Sequence, residues 1–148
     1  AQMLNRVGIE ASVETMPKAV YFKRASRGGP NKSPEFSFML LGWGAGSGEA
    51  SSPLKALLHT YDKSKGLGAA NRGRHSDAEV DKLVKQALAT VDADARGALL
   101  AKATEKAVGE NYGVIPMHYQ VNTWAAKAGY KYLPRTDERT IVTGLSNN

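Results

Sequence analysis

The sequence predicts an α/β domain, on three observations. Strand-like and helix-like segments alternate through the first third, two amphipathic helices with clear start signals fill the middle, and apolar–polar alternation returns near the end. With 148 residues and 42% hydrophobic content, the chain is long enough for one domain with its own core.

Residues 1–7 read as the last turns of a helix, with Met3, Leu4 and Val7 apolar and Gly8 as the C-cap. Residues 9–14 alternate apolar and polar, the period of a half-buried strand. Pro17 suits the first turn of a helix running to about Arg24 and burying Val20 and Tyr21. Residues 25–35 are rich in Gly, Pro, Ser and Asn and read as loop. Residues 36–41, Phe-Ser-Phe-Met-Leu-Leu, form a short apolar run bounded by turn residues, which predicts a buried strand. A helix in the crossover between two strands favours a parallel pair.

Ser52 and Pro53 open a short helix with Leu54, Leu57 and Leu58 on one face. Residues 61–74 are a glycine-bearing loop. Ser76-Asp77-Ala78-Glu79 is a capping box. The helix behind it carries Val80, Leu83, Val84, Ala87, Leu88 and Val91 at helical spacing. Asp92 or Asp94 caps a further helix to about Glu110, with Leu99, Ala103 and Ala107 as its buried stripe and Leu100 and Val108 beside it. The short connection makes the two an antiparallel pair. Residues 114–119 read as a strand that Pro116 confines to an edge or a strand start, and 121–124 continue it. Residues 130–133 and 140–142 are short strand candidates, and 144–148 a frayed end.

The stretch that invites function is the loop after residue 41. Gly42, Gly44, Gly46 and Gly48 leave its backbone bare around Trp43, Ser47 and Glu49. In open α/β sheets, ligands bind beyond the carboxyl ends of strands, where this loop lies. It matches no phosphate cradle: Ser47 stands where a dinucleotide fingerprint needs its third glycine, and no Gly-Lys-Ser/Thr follows. A nucleophile elbow around Ser47 would need glycines where Ala45 and Glu49 stand. Ser52-x-x-Lys55 fits an acyl-enzyme motif, but its companion motifs are missing. Trp43 reads equally as core or as a stacking surface, and Glu49 equally as a solvated charge or a partner for a cation.

Other chemistry is sparse. Cysteine is absent, and His59, His75 and His118 are too scattered for a metal-binding pair, so no cofactor or metal is expected. Asp92/Asp94 and Asp137/Glu138 read as caps and loop charges. The net charge of +6 raises nucleic acid as a partner, but the basic residues are dispersed and no nucleic-acid motif accompanies them. No apolar run approaches the roughly 20 residues a membrane span needs. The start has no charged segment leading into an apolar core, and it reads as the middle of a helix, so a piece of a longer chain is expected.

Several segments, in order, resemble the C-terminal part of the ABC-transporter solute-binding proteins of the oligopeptide/dipeptide/nickel type, the extracytoplasmic family 5. They are Met3-Leu4-x-x-Val7-Gly8-Ile9 leading to Val13-Glu14; residues 36–43 ending in Leu-Gly-Trp-Gly; Asn71-x-Gly73-Arg74 followed by Glu79-Val80-Asp81-x-Leu83; Asp92-x-x-x-Arg96-x-x-Leu99; and Ile115-Pro116-Met117-His118. The resemblance implies a periplasmic-binding-protein-like (type II) second lobe, with a mixed sheet flanked by helices over residues 1–148. It also implies a tail, from about 121 to 148, that returns toward a first lobe. The implied activity is non-catalytic: capture of a peptide or other small solute by closure of two lobes, outside the cytoplasmic membrane of a bacterium. The implied partners are the permease subunits of an importer, with no nucleic acid and no membrane association except through the transporter.

In peptide-binding relatives an Asp after Gly-Trp holds the peptide amine; here Gly46 stands in its place. The resemblance therefore points to Trp43, Gly44, Gly46, Ser47, Glu49, Arg74, His118 and Gln120 as ligand-binding positions. The alternatives are a serine-dependent acyl hydrolase using Ser52 and Lys55, or a basic nucleic-acid-binding domain.

Overall fold

The computed structural model describes residues 1–36 and 38–147. Ser37, inside the expected strand 36–41, and Asn148, at the expected frayed end, lie outside the described residues. The chain divides into two compact units, Ala1–Met39 and Leu40–Asn148.

In the first unit, helix α1 (Gln2–Arg6) ends where Gly8 takes a φ of 82°, a left-handed turn that glycine enters without a side-chain clash. The Asn5 amide then accepts from the Ala11 backbone N–H at 2.7 Å and donates to its carbonyl at 3.3 Å. Helix α2 (Lys18–Arg27) starts immediately after Pro17. Its organising residue is Arg24. The guanidinium grips Glu35 through Nε (3.0 Å) and Nη2 (2.5 Å), reaches Glu14 through Nη1 (2.5 Å), and stacks over the Phe36 ring at 5.1 Å. These carboxylates push the Arg24 pKa up, and Arg24 holds the Glu35 carboxyl below its ordinary value. Tyr21 stacks on Phe36, and Ala25 is fully buried beneath.

The second unit has a helical core. Helix α3 (Ser51–Pro53) runs directly into a wide π-type turn, Leu54–Leu58. Helices α4 (Ala78–Ala89) and α5 (Ala93–Thr104) pack as a pair, and α5 continues as a second wide turn, Glu105–Glu110. Leu54, Leu58, Val80, Val84, Ala87, Leu100, Ala103 and Ala107 form one buried cluster, with Leu57, Leu83, Leu99 and Val108 against its rim. Small residues at 87, 103 and 107 suit a close helix approach. Asp77 caps α4 by accepting from the N–H groups of Glu79 (2.8 Å) and Val80 (2.9 Å). The cap is thus one residue later than the capping box suggests, because the Ser76 hydroxyl is engaged with Thr60. Asp92 caps α5 through the Ala95 N–H. Gly113 closes the core: a Cβ there would sit 2.6 Å from Leu58 Cδ2 and 3.0 Å from the Ala107 carbonyl.

The sheet is the main correction. Helix makes up 40% of the chain. Among the described residues the sheet is one antiparallel pair, β1 (Tyr130–Tyr132) and β2 (Leu145–Asn147), with Tyr130 opposite Asn147 and Tyr132 opposite Leu145. The fold is therefore not a mixed sheet flanked by helices, and the expected type II lobe is not what these residues build. Segments 9–14, 36–41, 114–119 and 121–124 have strand composition, but none of their described residues belongs to a ladder, and the expected parallel pair is missing among the described residues. The reason is that a strand requires a partner, which composition does not supply. Leu40 is 74% exposed and Tyr119 99% exposed, far from the buried setting the apolar runs suggest. Residues 130–133 do contain a strand. The candidate at 140–142 does not, because the chain there arches around Tyr132, whose hydroxyl donates to the Arg139 carbonyl and accepts from the Ile141 N–H, both at 3.1 Å. The second strand, β2, instead occupies Leu145–Asn147, within the segment expected to be a frayed end.

Candidate functional site

The glycine loop lies at the start of the second unit and leads into α3. A turn closes it where the Gly48 N–H donates to the Ala45 carbonyl at 2.9 Å, with Gly48 at a φ of 74°. Beyond that turn the loop is pinned by Glu49. Arg96 donates to Glu49 from Nε (2.8 Å) and Nη2 (2.5 Å), and the Ser51 hydroxyl adds a third bond to the same carboxylate. Arg96 also donates from Nη1 to the Ala87 carbonyl at 2.7 Å, in the last turn of α4. One guanidinium thereby ties the loop to both helices of the core. Arg96, followed by Ser51, holds the Glu49 carboxyl down to about 2.

Before the turn the loop is open. A Cβ on Gly44 or Gly46 would meet nothing within 4 Å. Trp43, between bare positions, is 44% exposed, and its indole has no hydrogen-bond or ring partner among the described residues. The Ser47 hydroxyl is likewise exposed and unengaged. Gln120 stands beside Gly42, with Oε1 3.8 Å from the position of a Gly42 Cβ and no hydrogen bond from its amide among the described residues. The structure thus brings Gly42 alongside Gln120, two segments far apart in sequence.

The remaining expected site residues stand apart from this group. Arg74 adopts a φ of 56° and lies over the Tyr61 ring at 4.4 Å. His118 is exposed. Among the described residues, no hydrogen bond or ion pair joins either one to the glycine loop. Ser52 and Lys55 flank a hollow of about 410 Å³ together with Ala56 and Leu88, but no hydrogen bond links the Ser52 hydroxyl to the Lys55 amine.

Two organising residues, Arg96 and Asn71, stand in the sequence only as members of family-like motifs, with no role attached. Arg96 has a signal in hindsight: a cation in the first turn of a helix opposes the helix dipole, so it calls for an acidic partner. Asn71 is buried and donates to the carbonyls of His59 (3.0 Å) and His75 (2.7 Å) while accepting from the His75 N–H (3.0 Å). In the sequence, its place in a glycine-bearing loop and in the Asn71-x-Gly73-Arg74 motif gives no hint of this buried role. The two histidines beside it serve the same connection. His59 Nδ1 faces the Thr60 carbonyl (2.8 Å) and Asp81 Oδ1 (3.3 Å), both acceptors, so Nδ1 carries the proton. His75 Nδ1 donates to the Leu58 carbonyl at 2.6 Å. Among the described residues no group of three His, Asp or Glu side chains is placed to hold a metal ion, and no helix is long and apolar enough to cross a membrane.

Comparison of the chain with protein-family models, curated proteins and solved structures finds no match.

Proposed function

We propose that this chain provides a non-catalytic binding surface for a small solute. The observation that carries this reading is Trp43: a large apolar ring, half exposed and without a partner among the described residues, on a bare loop that Glu49 and Arg96 hold to the core. A fixed loop presenting an unsatisfied aromatic face with a neighbouring amide is the composition of a recognition site. The sequence resemblance extends the proposal: solute capture for an ABC importer, outside the cytoplasmic membrane, with delivery to the permease subunits.

The alternatives have less support. A hydrolase at Ser52 needs a base in hydrogen-bond reach, and Lys55 is not hydrogen-bonded to it. A nucleic-acid surface needs clustered cations, yet the basic residues are dispersed along the chain and no nucleic-acid motif accompanies them.

Calorimetric titration of the chain with a panel of small neutral solutes and short peptides tests the proposal. A saturable single-site isotherm that Trp43→Ala abolishes is expected. Failure of every panel member to bind at millimolar concentration would remove it. Cross-linking in membranes that hold the permease addresses the transport partner, and capture of the permease is the expected result.

A further inference from the structure

We infer that the hollow on the aromatic face of the C-terminal hairpin is a second binding site, one that takes a small aromatic carboxylate, with the ligand ring against Trp124 and Tyr132 and its carboxylate on Lys127. No residue of the glycine loop lines this hollow, so the assignment stands independently of Trp43.

The hollow is built locally. Strand alternation puts Tyr130 and Tyr132 on one face of β1, and Leu145, opposite Tyr132 on β2, shares that face. Just before β1 the chain turns at Gly129 (φ 93°), where the Tyr130 N–H donates to the Lys127 carbonyl at 3.1 Å. That turn brings Lys127 back beside the aromatic face. Trp124 stands at its side, with its ring centroid 5.8 Å from that of Tyr132. These residues and Thr140 line one hollow of about 270 Å³, and its remaining walls are alanine. The size suits a small ligand. The two aromatic walls are held before any ligand arrives. Trp124 Nε1 donates to Thr140 Oγ1 at 3.0 Å, and the Tyr132 hydroxyl is fixed between the Arg139 carbonyl and the Ile141 N–H. Walls already ordered lose little entropy on binding.

Charge selects the ligand class. Among the described residues that line the hollow, Lys127 alone is charged. No carboxylate among the described residues is in ion-pair reach of it, and the Tyr130 hydroxyl has no hydrogen-bond partner there. Asp137, in the turn before Thr140, is committed to Arg135. A ligand ammonium would meet Lys127 as a like charge, and a neutral aromatic would leave the amine unused. An aromatic carboxylate matches both features. Its ring takes apolar surface out of water, and its carboxylate accepts a charge-assisted bond from Lys127.

The test is isothermal titration of the chain with phenylacetate, 2-phenylethanol and 2-phenylethylamine, which share a ring and differ in charge. Phenylacetate is expected to bind at one site, about fivefold or more tighter than the alcohol, with the amine weakest. Raising salt from about 50 to about 500 mM should shrink the preference for the acid over the alcohol. Lys127→Met should abolish that preference and keep the binding of the alcohol, Lys127→Arg should retain the preference, and Trp43→Ala should change nothing. Tyr130→Ala and Trp124→Leu should each weaken all three probes; Tyr130 guards against a Trp124 variant that loses the hairpin, since its side chain makes no hydrogen bond among the described residues. Equal binding of the acid and the alcohol, or a preference that Lys127→Met leaves intact, would overturn the carboxylate assignment. Phenylacetate binding lost in Trp43→Ala would overturn the second site and place the ligand at the glycine loop. Binding of no probe would overturn the second site and leave the Trp43 reading to its own titration.

Discussion

At Glu49 the bonds from Arg96 and Ser51 hold the carboxyl at about 2, against an ordinary value of 4.5. The folded pKa lies below the unfolded one, so the stabilisation is fully present above about pH 4.5 and is lost as pH falls toward 2. Glu49→Gln should therefore melt below the wild type at neutral pH, and the two melting temperatures should converge as pH approaches 2. Thermal melts at pH steps between 2 and 7 check this. Asp62, Asp77 and Asp137 are also held below their ordinary values, so part of the acid-induced loss will be common to both proteins. Arg96→Lys is not a conservative change here. An ammonium cannot present a fork to Glu49 while also reaching the Ala87 carbonyl. That variant should bind solute more weakly, although residue 96 is not among the proposed solute contacts. That these two residues pair is not evident from local sequence, since 47 positions separate them.

The helices were legible because their signals are local. The spacing of Val80, Val84 and Ala87 fixes one face of α4, and Asp77 and Asp92 mark two starts. Where the reading drifted, geometry explains it. Leu88 and Val91 continue the apolar period, yet α4 ends at Ala89, and both residues are exposed. The strands were not legible to the same degree, because residues 36–41 and 114–119 state a preference that only a neighbouring strand could realise. The glycine loop was identified from its sequence, while its anchor on α5 was not. Two substitutions test the packing. Leu58→Ala removes a buried side chain from the centre of the cluster and should cost about 2–5 kcal/mol in urea denaturation. Gly68 has a φ of 61°, and a Cβ there would lie 2.4 Å from the His59 carbonyl oxygen. Gly68→Ala should thus destabilise by more than about 1 kcal/mol, read as a fall in the denaturation midpoint.

Across the whole chain, apolar residues are not confined to the core. Ile115, Met117, Tyr119 and Val121 alternate with polar or proline positions, and all four are exposed. Such a run promotes self-association at high protein concentration. Replacing Tyr119 and Val121 together with Lys should reduce association measured by light scattering and leave the melting temperature nearly unchanged, because neither side chain contributes to the buried cluster. The glycine loop has the opposite character: it is tethered at Glu49 and empty at Gly44 and Gly46. New side chains at those two positions need no repacking and should shift stability by no more than about 0.5 kcal/mol. Ligand preference can therefore drift through successive substitutions without loss of foldability. Gly46→Asp is the shortest such path, since it would put an unclaimed negative charge beside Trp43 and turn the surface toward amines.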